Sequence, residues 1–127
     1  MTRHEVVTRS APAAIGPYSQ AIEIDGFVFC SGQLGLDPTT GQLLEGVDDQ
    51  AERALLNLES VLGAAGLSMA DVVKTTIFLA DLSHFAQVNA IYTKHVVAPA
   101  PARSTVQVAA LPRAALIEIE AIARRSN

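Results

Sequence analysis

Val72-Val73-Lys74-Thr75-Thr76-Ile77-Phe78-Leu79-Ala80 is dense in β-branched residues and holds one aromatic, the make-up of a strand. Side chains alternate along a strand, so Val73, Ile77 and Leu79 are expected on one face and Val72, Phe78 and Ala80 on the other. Both sets are apolar, the pattern of a strand covered on both sides. A layer of helices covers one side only, and the other needs a second source of cover.

The flanks supply the helices. Upstream, Ala51, Ala54, Leu55, Leu58, Leu62 and Ala65 recur at helical spacing. They follow Asp48 and Asp49, whose side chains can cap a helix and whose charge suits its positive end. Gly66 is placed to end it. Downstream, a helix starting around Asp81 to Ser83 puts Phe85, Val88, Tyr92 and His95 on one side before Pro99 and Pro101 stop it. Further out, His4 to Thr8, Ser19 to Ile24, Phe27 to Ser31, Arg103 to Val108 and Leu116 to Arg124 read as strands. Asp25-Gly26 is a tight-turn signature, Asp37-Pro38-Thr39-Thr40-Gly41 is a second turn, and Ala11 to Tyr18 is too rich in proline and glycine for regular structure. The order is β-β-β-α-β-α-β-β. Right-handed crossovers then put both helices on the same face of one mixed sheet. The opposite face is left uncovered, and another copy of the chain is its simplest cover.

Composition narrows the function. With 127 residues the chain is expected to be one domain, residues 1–127. Half the residues are hydrophobic and 17% are charged, which excludes disorder. So small and apolar a chain, with mean hydropathy +0.30, again points to burial between subunits. Nine Lys+Arg against thirteen Asp+Glu give a net charge of −4, without a basic stripe, so no nucleic acid partner is expected. The longest uncharged stretch, Ser10 to Ile22, contains two prolines and is too short to span a membrane. Met1-Thr2-Arg3-His4-Glu5 lacks an apolar signal segment, and Cys30 is the only cysteine. A cytoplasmic location is therefore expected, with neither an intrachain disulfide nor a thiolate zinc cage. His4, His84 and His95 show no metal-ligand spacing, and no phosphate loop, dinucleotide fingerprint or nucleophile elbow is present.

Few residues remain that could carry chemistry. Arg103 follows the stiff, uncharged approach Val96-Val97-Ala98-Pro99-Ala100-Pro101-Ala102 and shares a strand face with Thr105 and Gln107. A guanidinium in apolar surroundings must find an anion. That anion is either a glutamate in a structural ion pair or a substrate carboxylate held bidentately. Glu118 and Glu120 project from one face of a strand roughly 7 Å apart. They suit general acid–base work, a polar rim, or pairing with Arg113, Arg124 or Arg125. Gly16-Pro17-Tyr18-Ser19 either aims the Tyr18 phenol or makes an ordinary turn. Ser31-Gly32 ends a strand and offers a hydroxyl and an approachable backbone. Cys30 reads as an inert buried thiol, and His84 and His95 as helix-surface or interface residues.

Several blocks carry a resemblance: Ala11-Pro12-Ala13-Ala14-Ile15-Gly16-Pro17-Tyr18-Ser19-Gln20-Ala21, Ser31-Gly32-Gln33, Asp71-Val72-Val73-Lys74-Thr75-Thr76 and Phe85-Ala86-Gln87-Val88-Asn89. Pro101-Ala102-Arg103-Ser104-Thr105-Val106, Leu111-Pro112 and Glu118-Ile119-Glu120-Ala121-Ile122-Ala123 complete the set. In this order, over essentially the whole chain, they resemble the Rid (YjgF-type) family of reactive-intermediate deaminases. The resemblance implies a chorismate-mutase-like α+β fold, a mixed six-stranded sheet with two helices on one face. It further implies a homotrimer around a central barrel, with active sites in clefts between subunits. The implied activity is hydrolysis of 2-enamine/2-imine acids to 2-keto acids and ammonia, without a cofactor and downstream of pyridoxal-phosphate-dependent dehydratases. The alternative is a non-catalytic module that binds small metabolites in the same clefts. By resemblance, Arg103 binds the substrate carboxylate and Glu118 activates water. Tyr18, Ser31 and Gly32 line the pocket and Asn89 lies near it. Thr105 stands where many archetypal members carry Cys.

Overall fold

The structure, a computed structural model, describes residues 2–126; Met1 of the N-terminal reading lies outside them. Six strands form one mixed sheet in the order β1-β2-β3-β6-β4-β5. They are β1 (His4–Val6), β2 (Ala21–Ile24), β3 (Phe27–Leu34), β4 (Val72–Leu79), β5 (Ala102–Gln107) and β6 (Ile117–Arg124). Every neighbouring pair is antiparallel except β4 with β5. Helix α1 (Val47–Ala64) joins β3 to β4 across β6, and α2 (Phe85–Tyr92) joins β4 to β5. The helices pack on each other and on one face of the sheet, so the expected α+β architecture is the one the chain adopts.

Local chemistry explains the element ends. Ile24 pairs with Phe27 across Asp25-Gly26, both at positive φ (54° and 80°), the two-residue turn that matches strand twist. Gly66 closes α1 at φ 77°: its N–H bonds the Gly63 carbonyl and that of Leu67 bonds Leu62, the Schellman pattern. Asp48 and Asp49 do not cap α1. Gly46 is its N-cap without a side-chain bond, and the two acids sit inside the first turn, where they act on the helix dipole. α2 stops at Tyr92 rather than running toward the prolines, because the His95 N–H bonds the Tyr92 carbonyl in a tighter turn.

Two strands depart from strict alternation. The register of β4 against β6 shifts between Val72 and Lys74, a bulge that moves one residue out of phase. Val72 is therefore 6% exposed, whereas Val73, expected beside Ile77 and Leu79, is 48% exposed. β3 does not end at Ser31-Gly32. A register shift between Cys30 and Gln33 lets it continue to Leu34.

The core lies between the helices and the sheet. Leu55, Leu58 and Leu62 of α1 meet Ile77, Leu79, Ile117 and Ile119, all fully buried, each worth about 1.5–3 kcal/mol of transfer free energy. The other sheet face carries exposed Phe27, Phe29 and Val106 beside half-buried Phe78 and Ile122, and no described helix lies over it. No described helix is long and apolar enough to cross a membrane.

Candidate active site

Glu118 sits on β6 on the face away from the helices, opposite Leu34 of β3 and Phe78 of β4. It borders a cleft of about 350 Å³ together with Pro12, Tyr18, Gly32, Leu34 and Arg113. The β3 bulge falls at Ser31-Gly32, re-aiming the backbone beside that cleft. A Cβ on Gly32 would stand 2.5 Å from Glu118 Oε2 and 2.7 Å from its Cδ, so the bare backbone is what lets the carboxylate lie against the strand. Burial, and then the charge of Glu120, raises Glu118 above the usual carboxylate range. Neither glutamate pairs with an arginine among the described residues. Arg125 grips Glu23 through two hydrogen bonds of 2.8 and 3.0 Å, Arg124 lies 4.8 Å over the Phe27 ring, and Arg113 donates to the Gly41 carbonyl at 3.0 Å.

The loop that carries Tyr18 is held by Gln20, which is 4% exposed. The Gln20 amide nitrogen donates to the carbonyls of Thr8 and Pro12 at 3.0 and 2.8 Å, and its oxygen accepts from the Thr8 N–H at 2.7 Å. A loop outside the sheet ladder needs such partners for its buried backbone. Ser31 Oγ donates to the Ser19 carbonyl at 2.6 Å, tying the other end of the loop to β3. Tyr18 is 53% exposed and its hydroxyl accepts from the Ile15 N–H at 3.3 Å, so the ring turns onto its own loop instead of entering the core. Sequence reasoning singled out Tyr18 and Ser31 but missed Gln20. The signal was an amide directly following a proline-rich irregular stretch.

Arg103 lies on the opposite face. On β5 it is level with Thr75 of β4, the helix side. Its Cζ is 5.0 Å from the Tyr92 ring and 5.5 Å from that of Phe85. A 2.7 Å hydrogen bond between the Thr75 and Tyr92 hydroxyls fixes the first ring. Each cation–π contact contributes about 0.5–1 kcal/mol. Arg103 makes no hydrogen bond or ion pair among the described residues, so the structural ion pair does not form with any glutamate or aspartate described. Asn89, four residues after Phe85 and three before Tyr92, shares their side of α2. Thr105 is level with Ile77, also on the helix side. Thr105 Oγ1 and His84 Nδ1 are buried without a hydrogen-bond partner among the described residues.

The remaining candidates are structural. Burial pushes the Cys30 thiol up to about 12, which makes it inert. His95 is clamped between two carboxylates of α1, with Nε2 2.9 Å from Glu52 and Nδ1 2.5 Å from Glu59. One chain thus gathers Tyr18, Ser31, Gly32 and Glu118 on one side, and Arg103, Thr105 and Asn89 on the other. The sheet separates the two sets.

Residues 8–125, spanning every residue placed in the two sets, match the family model described as Endoribonuclease L-PSP. The chain belongs to the Endoribonuclease L-PSP family. Within the family it is 52% identical over 122 residues to the 2-iminobutanoate/2-iminopropanoate deaminase of Mus musculus, covering 95% of this chain and 90% of that one. It is 58% identical over 123 residues to the chloroplastic Reactive Intermediate Deaminase A of Arabidopsis thaliana, covering 95% of this chain and 66% of that longer one. The crystal structure of E. coli TdcF with bound serine has a TM-score of 0.92 at 44% identity, with 97% and 99% of the two chains covered. RidA from the Antarctic bacterium Psychrobacter gives 0.93 at 46% identity, with 95% and 98% covered. The family resemblance carried by the ordered sequence blocks holds.

Proposed function

We propose that the protein hydrolyses 2-enamine/2-imine carboxylic acids, such as 2-aminoacrylate/2-iminopropanoate and 2-iminobutanoate, to 2-keto acids and ammonia, in sites shared between the copies of a homotrimer. The observation that carries this reading is the division of the charged groups: an arginine without an acid partner among the described residues on one sheet face, and a glutamate of raised pKa on the other. One chain cannot bring both to a single small ligand. A second copy, seated against the exposed apolar face, can present its Arg103 to the cleft around Glu118. The activity named for the mouse relative supports the substrate class, and the serine bound by TdcF supports a small amino-acid-like ligand.

The chemistry asks little beyond placement. The carbon of a protonated imine is already electrophilic, so orientation and proton management suffice. The Arg103 guanidinium, steadied by two rings, donates two parallel charge-assisted hydrogen bonds to the substrate carboxylate. Ionised Glu118 takes a proton from water as the water oxygen bonds to the imine carbon and the C=N pair moves to nitrogen. The same carboxyl then returns that proton to nitrogen. The C–N bond breaks, ammonia leaves, and the hydroxyl proton passes to solvent as the carbonyl forms, to be taken up by the released ammonia as ammonium. A raised pKa suits this double duty, because it makes the carboxylate a stronger base toward water and brings the group nearer the working pH, where it can both hold and release the proton. Pyridoxal-phosphate-dependent dehydratases of serine and threonine produce such imines and are the expected suppliers. Endoribonuclease activity needs phosphate contacts, which the net charge of −4 and the Glu118–Glu120 pair oppose.

Two variants test the shared site. Arg103→Ala and Glu118→Gln each lower keto-acid release from dehydratase-generated imine at least ~100-fold while the fold persists. Refolding the two dead variants together in equal amounts restores roughly a quarter of the wild-type rate, because random pairing joins one intact Arg103 to one intact Glu118 at that frequency. Full activity in either single variant, or no recovery on mixing, contradicts the proposal. Ligand binding without any acceleration by the wild type identifies a binding module instead.

A further inference from the structure

We infer that Gln50 of α1, seconded by Arg113, is a positioning residue for Glu118, fixing the backbone from which that carboxyl projects. The kinetic consequence rests on the deaminase reading; the geometry does not. Gln50 is 3% exposed. Its amide nitrogen donates to the Leu44 carbonyl at 2.9 Å and its oxygen accepts from the Leu116 N–H at 2.7 Å. Leu116 directly precedes β6 and stands two residues before Glu118. One buried amide therefore joins the loop of residues 37–46 to the root of the strand that carries the acid. A Cβ on Gly35 would stand 2.4 Å from Gln50 Cα, so helix and strand extension pack backbone against backbone at this amide. Two turns along α1, Asn57 donates to the carbonyls of Leu34 and Leu36 at 3.1 and 2.9 Å, fixing the far wall of the same cleft.

A second tether joins the same two segments from outside. Arg113 and Ala114 lie at φ 63° and 55°, a left-handed pair that non-glycine residues avoid and that persists only where the surroundings hold it. Arg113 donates to the Gly41 carbonyl at 3.0 Å. The 37–46 loop is thus stitched to residues 113–116 by Gln50 within and Arg113 without. Within one chain, the charged or titratable groups facing Glu118 are Glu120 on its own strand and Arg113 and Tyr18 across the cleft; the proposed assembly adds Arg103 of a second copy, which is the same in all the proteins compared. β3 and β4 present Gly32, Leu34 and Phe78. Loosening the stitching admits water to the carboxyl.

The test compares wild type, Gln50→Met, Arg113→Ala and Arg113→Lys. It reads the Glu118 carboxyl titration by carbon-13 NMR, assigned with Glu118→Gln, alongside kcat, KM and melting temperature. Gln50→Met keeps the side-chain length and loses both bonds. Its Glu118 titration is expected to fall back toward the ordinary glutamate range. Its kcat falls roughly 10- to 100-fold, with KM within about twofold because Arg103 is untouched. Arg113→Ala, at an exposed position, lowers kcat in the same direction by less, its Glu118 titration being set also by the loss of a cation across the cleft, and Arg113→Lys restores kcat. A Gln50→Met protein that melts earlier yet keeps the wild-type titration and kcat overturns the inference. Should Gln50→Met fail to fold, an Arg113→Ala protein with wild-type kcat overturns it equally. A wild type without turnover defeats the deaminase reading alone, since the NMR titration still decides the positioning role.

Discussion

Gly32 lacks a side chain for a reason that lies across the strand: the space a methyl group would need is already filled by the Glu118 carboxylate, 2.5 Å from the Cβ position. Its backbone is not in the left-handed region, so alanine fits the chain path, and the three atoms nearest its methyl group all belong to the acid. Gly32→Ala is expected to fold, with a melting temperature within about 3 °C of wild type, while kcat drops at least ~100-fold as the carboxylate is pushed aside. Circular dichroism and the coupled assay measure the two. A Gly32→Ala enzyme of normal rate would show that Glu118 acts from another position. In the sequence Gly32 was visible as an approachable backbone, and Arg103 as a guanidinium wanting an anion. That the rings of Phe85 and Tyr92 hold Arg103, and that no described glutamate reaches it, depends on which strand lies beside β5 and could not be read from spacing.

At the scale of elements, α1 and the chain after α2 are joined by the His95 clamp. Burial alone would lower the His95 pKa, but the hydrogen bonds and charges of Glu52 and Glu59 outweigh it, and the net shift is upward from 6.5. A group raised on folding contributes stability that is complete below its unfolded pKa and is lost as pH rises through the folded value. The wild type should therefore exceed His95→Gln in urea midpoint most clearly near and below pH 6.5, with the gap closing at higher pH. A gap that widens with pH would place a neutral imidazole in the folded state. The His95 side chain was expected on a helix; it instead follows the helix end, and its two partners lie 36 and 43 residues away in sequence. Long separations of that kind leave no local pattern.

For the whole molecule, the exposed face of the sheet is the outstanding feature. Phe29 is 44% exposed at its centre, paired with Ile22 and Ile122. An apolar strand face of this kind, on a chain that folds one layer of helices over one side only, fits an interface. Phe29→Arg is expected to shift the protein to a monomer in sedimentation, since a guanidinium placed there loses its water on association. Turnover should fall with assembly, at least ~100-fold, because the two half-sites no longer meet. A monomeric Phe29→Arg protein with full activity would mean that one chain suffices.

The sequence by itself determined the strands, the helices and their order, and the faces they bury wherever no bulge breaks the alternation, because each follows from a period of two or of 3.6 within one element. It also marked β4 as needing cover on both sides, and its ordered blocks marked the family. Only the tertiary structure decided where β6 inserts, between β3 and β4, and where the bulges fall at Val72 and at Ser31-Gly32. Register is a property of two strands together, and no single segment encodes it. The same insertion set Arg103 and Glu118 on opposite faces, so the separation of the two groups most needed for chemistry came from strand pairing, not from any motif.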